Sequence, residues 1–323
     1  MGSVPGVIAS VGILAIMIIL LAVLALVVVK ALAHSPWGMF TIVATMPIAV
    51  FMGVYMRYIR PGRIGEISVA GFVLLILSIW FGGHVAADPY WGPFFTLKGE
   101  TIAMLMIGYG FVASVLPVWL LLAPRDYLST FLKIGTIAGL ALGIFIVMPQ
   151  MQMPAVTRFI DGSGPVFAGS LFPFLFITIA CGAVSGFHSL VASGTTPKML
   201  EKESHARFIG YGAMLMESFV AITAMIAASV LDPGVYFALN SPAALIGTTV
   251  ESAATAISSW GFVITPDVLT QMAKDIGEES ILSRAGGAPT LAIGMAHILS
   301  NVIGGQAMMA FWYHFAILFE ALF

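Results

Sequence analysis

Residues Val7 to Val29 read VIASVGILAIMIILLAVLALVVV, 23 positions with one hydroxyl and no charge. At about 1.5 Å rise per residue, a helix of that length crosses a hydrocarbon core of about 30 Å. It is also longer than the apolar stretch of a cleavable signal peptide. Lipid offers backbone N–H and C=O groups no water, so a spanning segment must pair them within itself. Barrel strands alternate over about ten residues, and this run does not alternate. The stretch reads as the first transmembrane helix of an all-α integral membrane protein.

Working outward, similar runs fall at roughly 38–59, 65–82, 101–122, 128–147, 169–190, 208–230 and 288–306. With the first, they predict a polytopic bundle of about eight full spans. A ninth run starts near Phe311 and stops with the chain at Phe323, too short to span. The chain is therefore expected to be a fragment of something longer, with residues 1–323 forming one transmembrane domain. Composition agrees: 9% of residues are charged and 60% apolar, against roughly 25% charged in soluble domains. The excess apolar surface has to face lipid.

A net charge of −2 without a Lys/Arg run gives no footprint for nucleic acid. The lone Cys181 excludes an internal disulfide and cysteine-cluster metal sites. No G-x-x-x-x-G-K-[ST] spacing is present to cradle nucleotide phosphates. No H-E-x-x-H, Ser/His/Asp order or paired intramembrane carboxylates argue for an enzyme. No cofactor or metal is expected. Met148 to Pro154 (MPQMQMP) carries thioethers that suit Cu(I), but the flanking prolines read as an ordinary loop.

The distribution of Lys and Arg sets the orientation. With the N-terminus cytoplasmic, inner segments hold Arg57, Arg60, Arg63, Arg125, Lys133, Lys198, Lys202 and Arg207. Short outer loops hold only Lys30, Lys98 and Arg158. Residues 231–287 then form an extracytoplasmic segment, the least membrane-like part. Thr265-Pro266-Asp267 reads as an N-cap, a proline at N1 and an acid in the first turn. Val268, Leu269, Met272, Ala273 and Ile276 share one helical face, and Gly277 ends it. The expectation is a short amphipathic helix, either an interfacial brace or part of a gate. Asp88 reads as a turn residue. Asp126 is expected to cap a helix, with Arg125 at the lipid head groups.

Gly182, Gly186 and Gly194 punctuate the apolar run before Lys198, and Ser185, Ser189, Ser193, Thr195 and Thr196 supply hydroxyls. Glycines let a membrane helix unwind or pack closely, and hydroxyls can replace lost backbone partners. Such broken helices bind substrate carboxylates or ions in transporters; close helix packing is the plainer reading. His188 in this stretch is a proton relay or substrate contact, or a packed histidine. Glu217 lies near the middle of the 208–230 run, where an ionised carboxylate costs about 2.5 kcal/mol or more. It is therefore expected to be protonated, paired or in an aqueous cavity, as a coupling acid would be. The plainer role is a hydrogen bond to another helix. His297 falls within the 288–306 run and is a further candidate. His314 and Glu320 sit in the partial ninth run, at a depth the sequence leaves open.

Several strings together resemble the carbon starvation protein A (CstA) family of bacterial inner-membrane transporters. They are Arg57–Arg63 (RYIRPGR), Asp88–Pro93 (DPYWGP), Leu116–Leu128 (LPVWLLLAPRDYL), Phe172–His188 (FPFLFITIACGAVSGFH), Ser193–Lys198 (SGTTPK), Gly210–Ser218 (GYGAMLMES), Ser259–Val263 (SWGFV) and Ala273–Glu278 (AKDIGE). The resemblance covers nearly the whole chain. It implies uptake of peptides or pyruvate when preferred carbon runs out. It also implies a core of inverted five-helix repeats (LeuT-like) and coupling to a cation, H⁺ first. Family members extend beyond both ends, and the region from Ser241 to Ala256 is shortened here. On this basis the 169–196 segment is expected to meet the substrate carboxylate, Glu217 to load the proton, and the 265–277 helix to help close the outer side. The alternative is a non-transporting membrane sensor or scaffold in the starvation response, which should tolerate Glu217→Gln.

Overall fold

The computed structural model describes residues 3–173, 175–176, 194 and 196–322, and every regular element among them is helical. Among the described residues, twelve α-helices of five residues or more carry the architecture. They are α1 (Ser3–Leu32), α2 (Pro36–Val54), α3 (Ile64–Ala87), α4 (Trp91–Phe95), α5 (Gly99–Val115), α6 (Leu122–Val147), α7 (His205–Ser229), α8 (Pro233–Asn240), α9 (Val250–Ser259), α10 (Pro266–Ile276), α11 (Ala288–Val302) and α12 (Met309–Leu322). A single π-helical turn, Tyr55–Ile59, prolongs α2.

Five of these segments are long and apolar enough to cross a membrane: Val4–Leu32, Pro36–Ile59, Ile64–Ala87, Leu122–Val147 and His205–Ser229. The shortest have 24 residues, or about 36 Å. The other apolar runs differ from expectation for local reasons. The run at 101–122 forms a 17-residue helix that stops at Val115. Pro117 drives Leu116 out of the helical region, to φ −68 and ψ 150. α6 therefore starts at Leu122, not 128, which corrects the expected capping role. Asp126 lies inside α6, and its backbone carbonyl accepts from the Ser129 and Thr130 hydroxyls. The run at 288–306 becomes a 15-residue helix ending at Val302. Gly304 and Gly305, at φ 87 and 59, turn the chain before α12. Most of the 169–190 run lies outside the described residues.

Two helix pairs form the frame. α2 packs along α3 and α11 along α12, with α6 and α12 joining the pairs. Their shared core includes Met52, Leu75, Ile79, Leu128, Ile293 and Ile317. α1 and α7 contribute little to it and expose large apolar side chains such as Val7, Ile19, Phe208 and Leu215. That is what lipid-facing helices present, since nothing polar covers them.

The segment 231–287 is more built than one amphipathic helix. α8, α9 and α10 all pack onto the core through Phe237, Leu239, Ile257, Leu269 and Ile276. Phe159, from the stretch after α6, joins an aromatic group with Phe237, Phe262 and Trp260. In α10, Thr265 accepts from the Val268 N–H, and Gly277 takes the left-handed φ of 72 that closes the helix.

Where α7 crosses α11, Gly294 lies against the Ala227 carbonyl, and a Cβ there would overlap that backbone. A backbone cannot rotate aside as a side chain can. Gly294→Ala is therefore expected to separate the two helices and to cost about 1–3 kcal/mol, the range for overpacking. Thermal unfolding of the detergent-solubilised variant measures the loss, and an unchanged midpoint would place the crossing elsewhere.

Candidate functional site

The buried charges lie where α10, the loop after it, α12 and the start of α2 converge. Gly277 ends α10, and the Glu278 N–H returns to the Ala273 carbonyl at 2.9 Å. This closure turns the Glu278 side chain inward, where it is 2% exposed. The loop then returns Arg284 to the same place. Ser283, at a left-handed φ of 54, fixes that return. Its N–H donates to Ala238 O at 2.9 Å and its hydroxyl to Ser241 O at 3.0 Å.

Three groups surround the Glu278 carboxylate. Arg284 Nη2 donates to Oε2 at 2.9 Å. The Ser35 hydroxyl donates to Oε1 at 2.7 Å. His314 Nε2 stands 3.4 Å from Oε1, with its side chain fully buried. Arg284 also donates from Nη1 to the Tyr313 hydroxyl at 3.2 Å. Trp37 stacks on the His314 ring at 4.1 Å between centroids and 9° between planes. Its indole N–H donates to Ile79 O at 2.7 Å, tying the stack to α3.

Burial is the largest influence on the Glu278 carboxyl and pushes it up. The His314 ring and the Arg284 guanidinium together outweigh burial and hold it below the usual carboxylate range. The same carboxylate holds the Arg284 guanidinium charged, against its own burial.

The histidine tautomer follows from its other nitrogen. His314 Nδ1 lies 2.8 Å from Ala310 O. A carbonyl only accepts, so Nδ1 carries hydrogen. In a neutral ring Nε2 is then a lone pair facing a carboxylate oxygen. That nitrogen is buried and, among the described residues, has no hydrogen-bond partner. Two acceptors in contact repel, and one proton placed between them turns repulsion into a charge-assisted bond. The Nε2–Oε1 pair is a proton-holding site by geometry.

Of the sequence-derived candidates, those that the structure describes lie apart from this cluster. Gly182, Ser185, Gly186, His188 and Thr195 fall outside the described residues. Thr196 opens a short helical turn, Thr196–Met199, and is half-buried. Glu217 is exposed on α7. It stands ten residues, or about 15 Å along the axis, from Ala227, where α7 meets Gly294. His297 is half-buried on α11, one turn beyond that crossing. In the sequence, Glu278 and Arg284 look like ordinary loop charges. The only hint was His314, an imidazole within an apolar run.

Comparison with known proteins follows the same lines. The profile of the family described as "Carbon starvation protein CstA" matches residues 1–323. The chain is 62% identical over 345 residues to a "Pyruvate/proton symporter BtsT" of Escherichia coli (strain K12). That alignment covers 100% of this chain and 48% of the relative. It is 65% identical over 328 residues to a "Peptide transporter CstA" of the same strain, covering 100% of this chain and 47% of the relative. A "Peptide transporter CstA" of Bacillus subtilis (strain 168) is 42% identical over 323 residues, again over 100% of this chain and 51% of the relative. The chain thus spans about half the length of the curated relatives it matches. No solved structure matches it.

Proposed function

Because the chain belongs to the carbon starvation protein CstA family, we propose that it forms part of a secondary-active transporter that takes up peptides or pyruvate with H⁺. The names of its relatives support the substrate class and, for the pyruvate/proton symporter, the coupling ion. The observation that carries the coupling is the contact of His314 Nε2 with Glu278 Oε1 at 3.4 Å. Arg284 and Ser35 already engage the Glu278 carboxylate, so the acceptor left to take the proton at this contact is His314 Nε2. Protonation draws α12 onto the loop after α10 and onto Ser35 at the head of α2. Deprotonation loosens the same junction. A bistable contact between helix groups is what alternating access requires.

In this reading the protein lies in a bacterial inner membrane with the N-terminus of α1 cytoplasmic, as the Lys/Arg bias supports. Further spans beyond the five long helices, in an inverted-repeat core, are the proposed arrangement. Gly182, Ser185, Gly186, His188, Thr195 and Thr196 are kept as candidate substrate contacts on the strength of the sequence.

The test is uptake of radiolabelled pyruvate and of a labelled dipeptide into proteoliposomes, with and without an inward proton gradient. Gradient-driven accumulation by the wild-type protein is expected. His314→Gln should retain downhill exchange and lose gradient-driven accumulation. Glu217→Gln and His297→Gln, made in parallel, test the two membrane-helix candidates. Loss of coupling in either, with His314→Gln still coupled, would move the proton site to that helix.

A further inference from the structure

A second site lies one turn further along α2. A cavity of about 120 Å³ opens between α1, α2, α5, α6 and α12. Its wall is almost wholly apolar, with Leu32, Met39, Met46 and Met106 among the lining side chains, and Tyr109 and Arg125 are its polar members. The half-buried Arg125 side chain, expected at the level of the lipid head groups, lines this cavity. Nη1 donates to the Tyr109 hydroxyl at 2.6 Å, and the guanidinium lies over the Tyr109 ring at 4.7 Å. Those two contacts fix the plane of the fork. Nε is buried and, among the described residues, has no hydrogen-bond partner.

We propose that this cavity binds the carboxylate of a small organic acid or peptide on the free edge of the Arg125 fork, with the methionine-rich wall taking the carbon chain. The proposal names a substrate site for the transporter reading and rests on it. A buried N–H without an acceptor carries an uncompensated desolvation cost. A carboxylate is an acceptor-only group that meets the Nε–Nη2 edge with two parallel bonds. The Tyr109 hydroxyl accepts from Nη1, so its own hydrogen is free to point at the ligand. An apolar cavity with few, fixed polar groups is how small-ligand sites are built. Methionine is unbranched and polarizable, so the wall can fit acyl chains of different shape. Lysine in place of Arg125 would supply charge without the fork.

The experiment is thermal unfolding and calorimetric binding with the purified full-length protein in detergent. The probes are pyruvate, alanyl-alanine, alanyl-alanine amide and laurate. Pyruvate or alanyl-alanine is expected to bind and raise the midpoint, and the amide to do neither. Arg125→Gln and Arg125→Lys should weaken that binding by roughly tenfold or more. Met106→Trp, which fills the cavity and leaves the arginine in place, should abolish it. Wild-type affinity in both Arg125→Gln and Met106→Trp overturns the site, as does equal binding of acid and amide. Binding of laurate alone also overturns it and marks a lipid carboxylate site instead. So does a wild-type protein that binds none of the probes. Uptake by the same proteins reconstituted into proteoliposomes separates the two readings: flux without binding in this cavity removes the site and keeps the transporter.

Discussion

Glu278→Ala is expected to destabilise the protein by about 3–5 kcal/mol, the range for removing one partner of a buried ion pair. The cost arises from what remains. Arg284, 11% exposed, would keep its charge with no carboxylate beside it, and the Ser35 hydroxyl would lose its acceptor. Arg284→Ala should cost a similar amount for the mirror reason. The double replacement Glu278→Met with Arg284→Met should be far milder than the sum, because no charge is left unpaired. Thermal midpoints of the three variants decide it; additive losses would mean that the two side chains act independently. Acid supplies a second signature. The folded Glu278 carboxyl lies below its unfolded value, near 4.3. The ionised form therefore stabilises the fold at neutral pH, and that contribution disappears as pH falls through the depressed value. Glu278→Gln should flatten the part of the stability-versus-pH curve below about pH 4, leaving the other carboxylates to shape the rest.

Trp37→Ala is the second large effect, expected at about 3–5 kcal/mol by the precedent of large aromatic truncations. Trp37 fits against α3 because Gly82 and Gly83 carry no side chain there. A Cβ on Gly82 would come within 2.5 Å of the indole, and one on Gly83 within 2.9 Å. Truncation leaves that niche empty, removes the indole's hydrogen bond to the Ile79 carbonyl and removes the plate on which His314 is stacked. Trp37→Phe should recover much of the packing without restoring the indole hydrogen bond. The functional readout separates packing from positioning. If Trp37 holds His314 at the proton-holding distance, Trp37→Phe should shift the pH profile of uptake while the protein stays folded. A variant folded like wild type with an unmoved profile would reduce Trp37 to a filler.

The membrane character of this chain was legible because it rests on local quantities. A run such as Val7–Val29 has no soluble alternative, and its length matches the bilayer. The ends of α10 were equally local. Thr265 and Gly277 act within one turn of their own backbone, and both do so in the fold. The break after Val115 was local as well, and the Leu116-Pro117 pair announces it, but the apolar run on either side masked it.

The buried cluster was not legible, and the reason is sequence distance. Ser35 and Glu278 are 243 positions apart, and no periodicity links them. In the chain, Glu278 is a carboxylate after a glycine, the usual pattern of a solvated helix end. Only the packing of α10 and α12 around the head of α2 removes its water. Glu217 shows the same dependence on neighbours. Its place in an apolar run predicts a carboxylate that needs a partner or an aqueous cavity, and α7 leaves it exposed, so what meets it is not written in the run. Arg125 follows the same rule, since its neighbours Tyr109 and Met46 come from other helices. By itself the sequence determined that the chain is helical, where most helices run and which short motifs end them, because those depend on residues within a turn or two. Only the tertiary structure decided which ionisable groups lose their water and meet, because desolvation is a property of all the neighbours a side chain acquires.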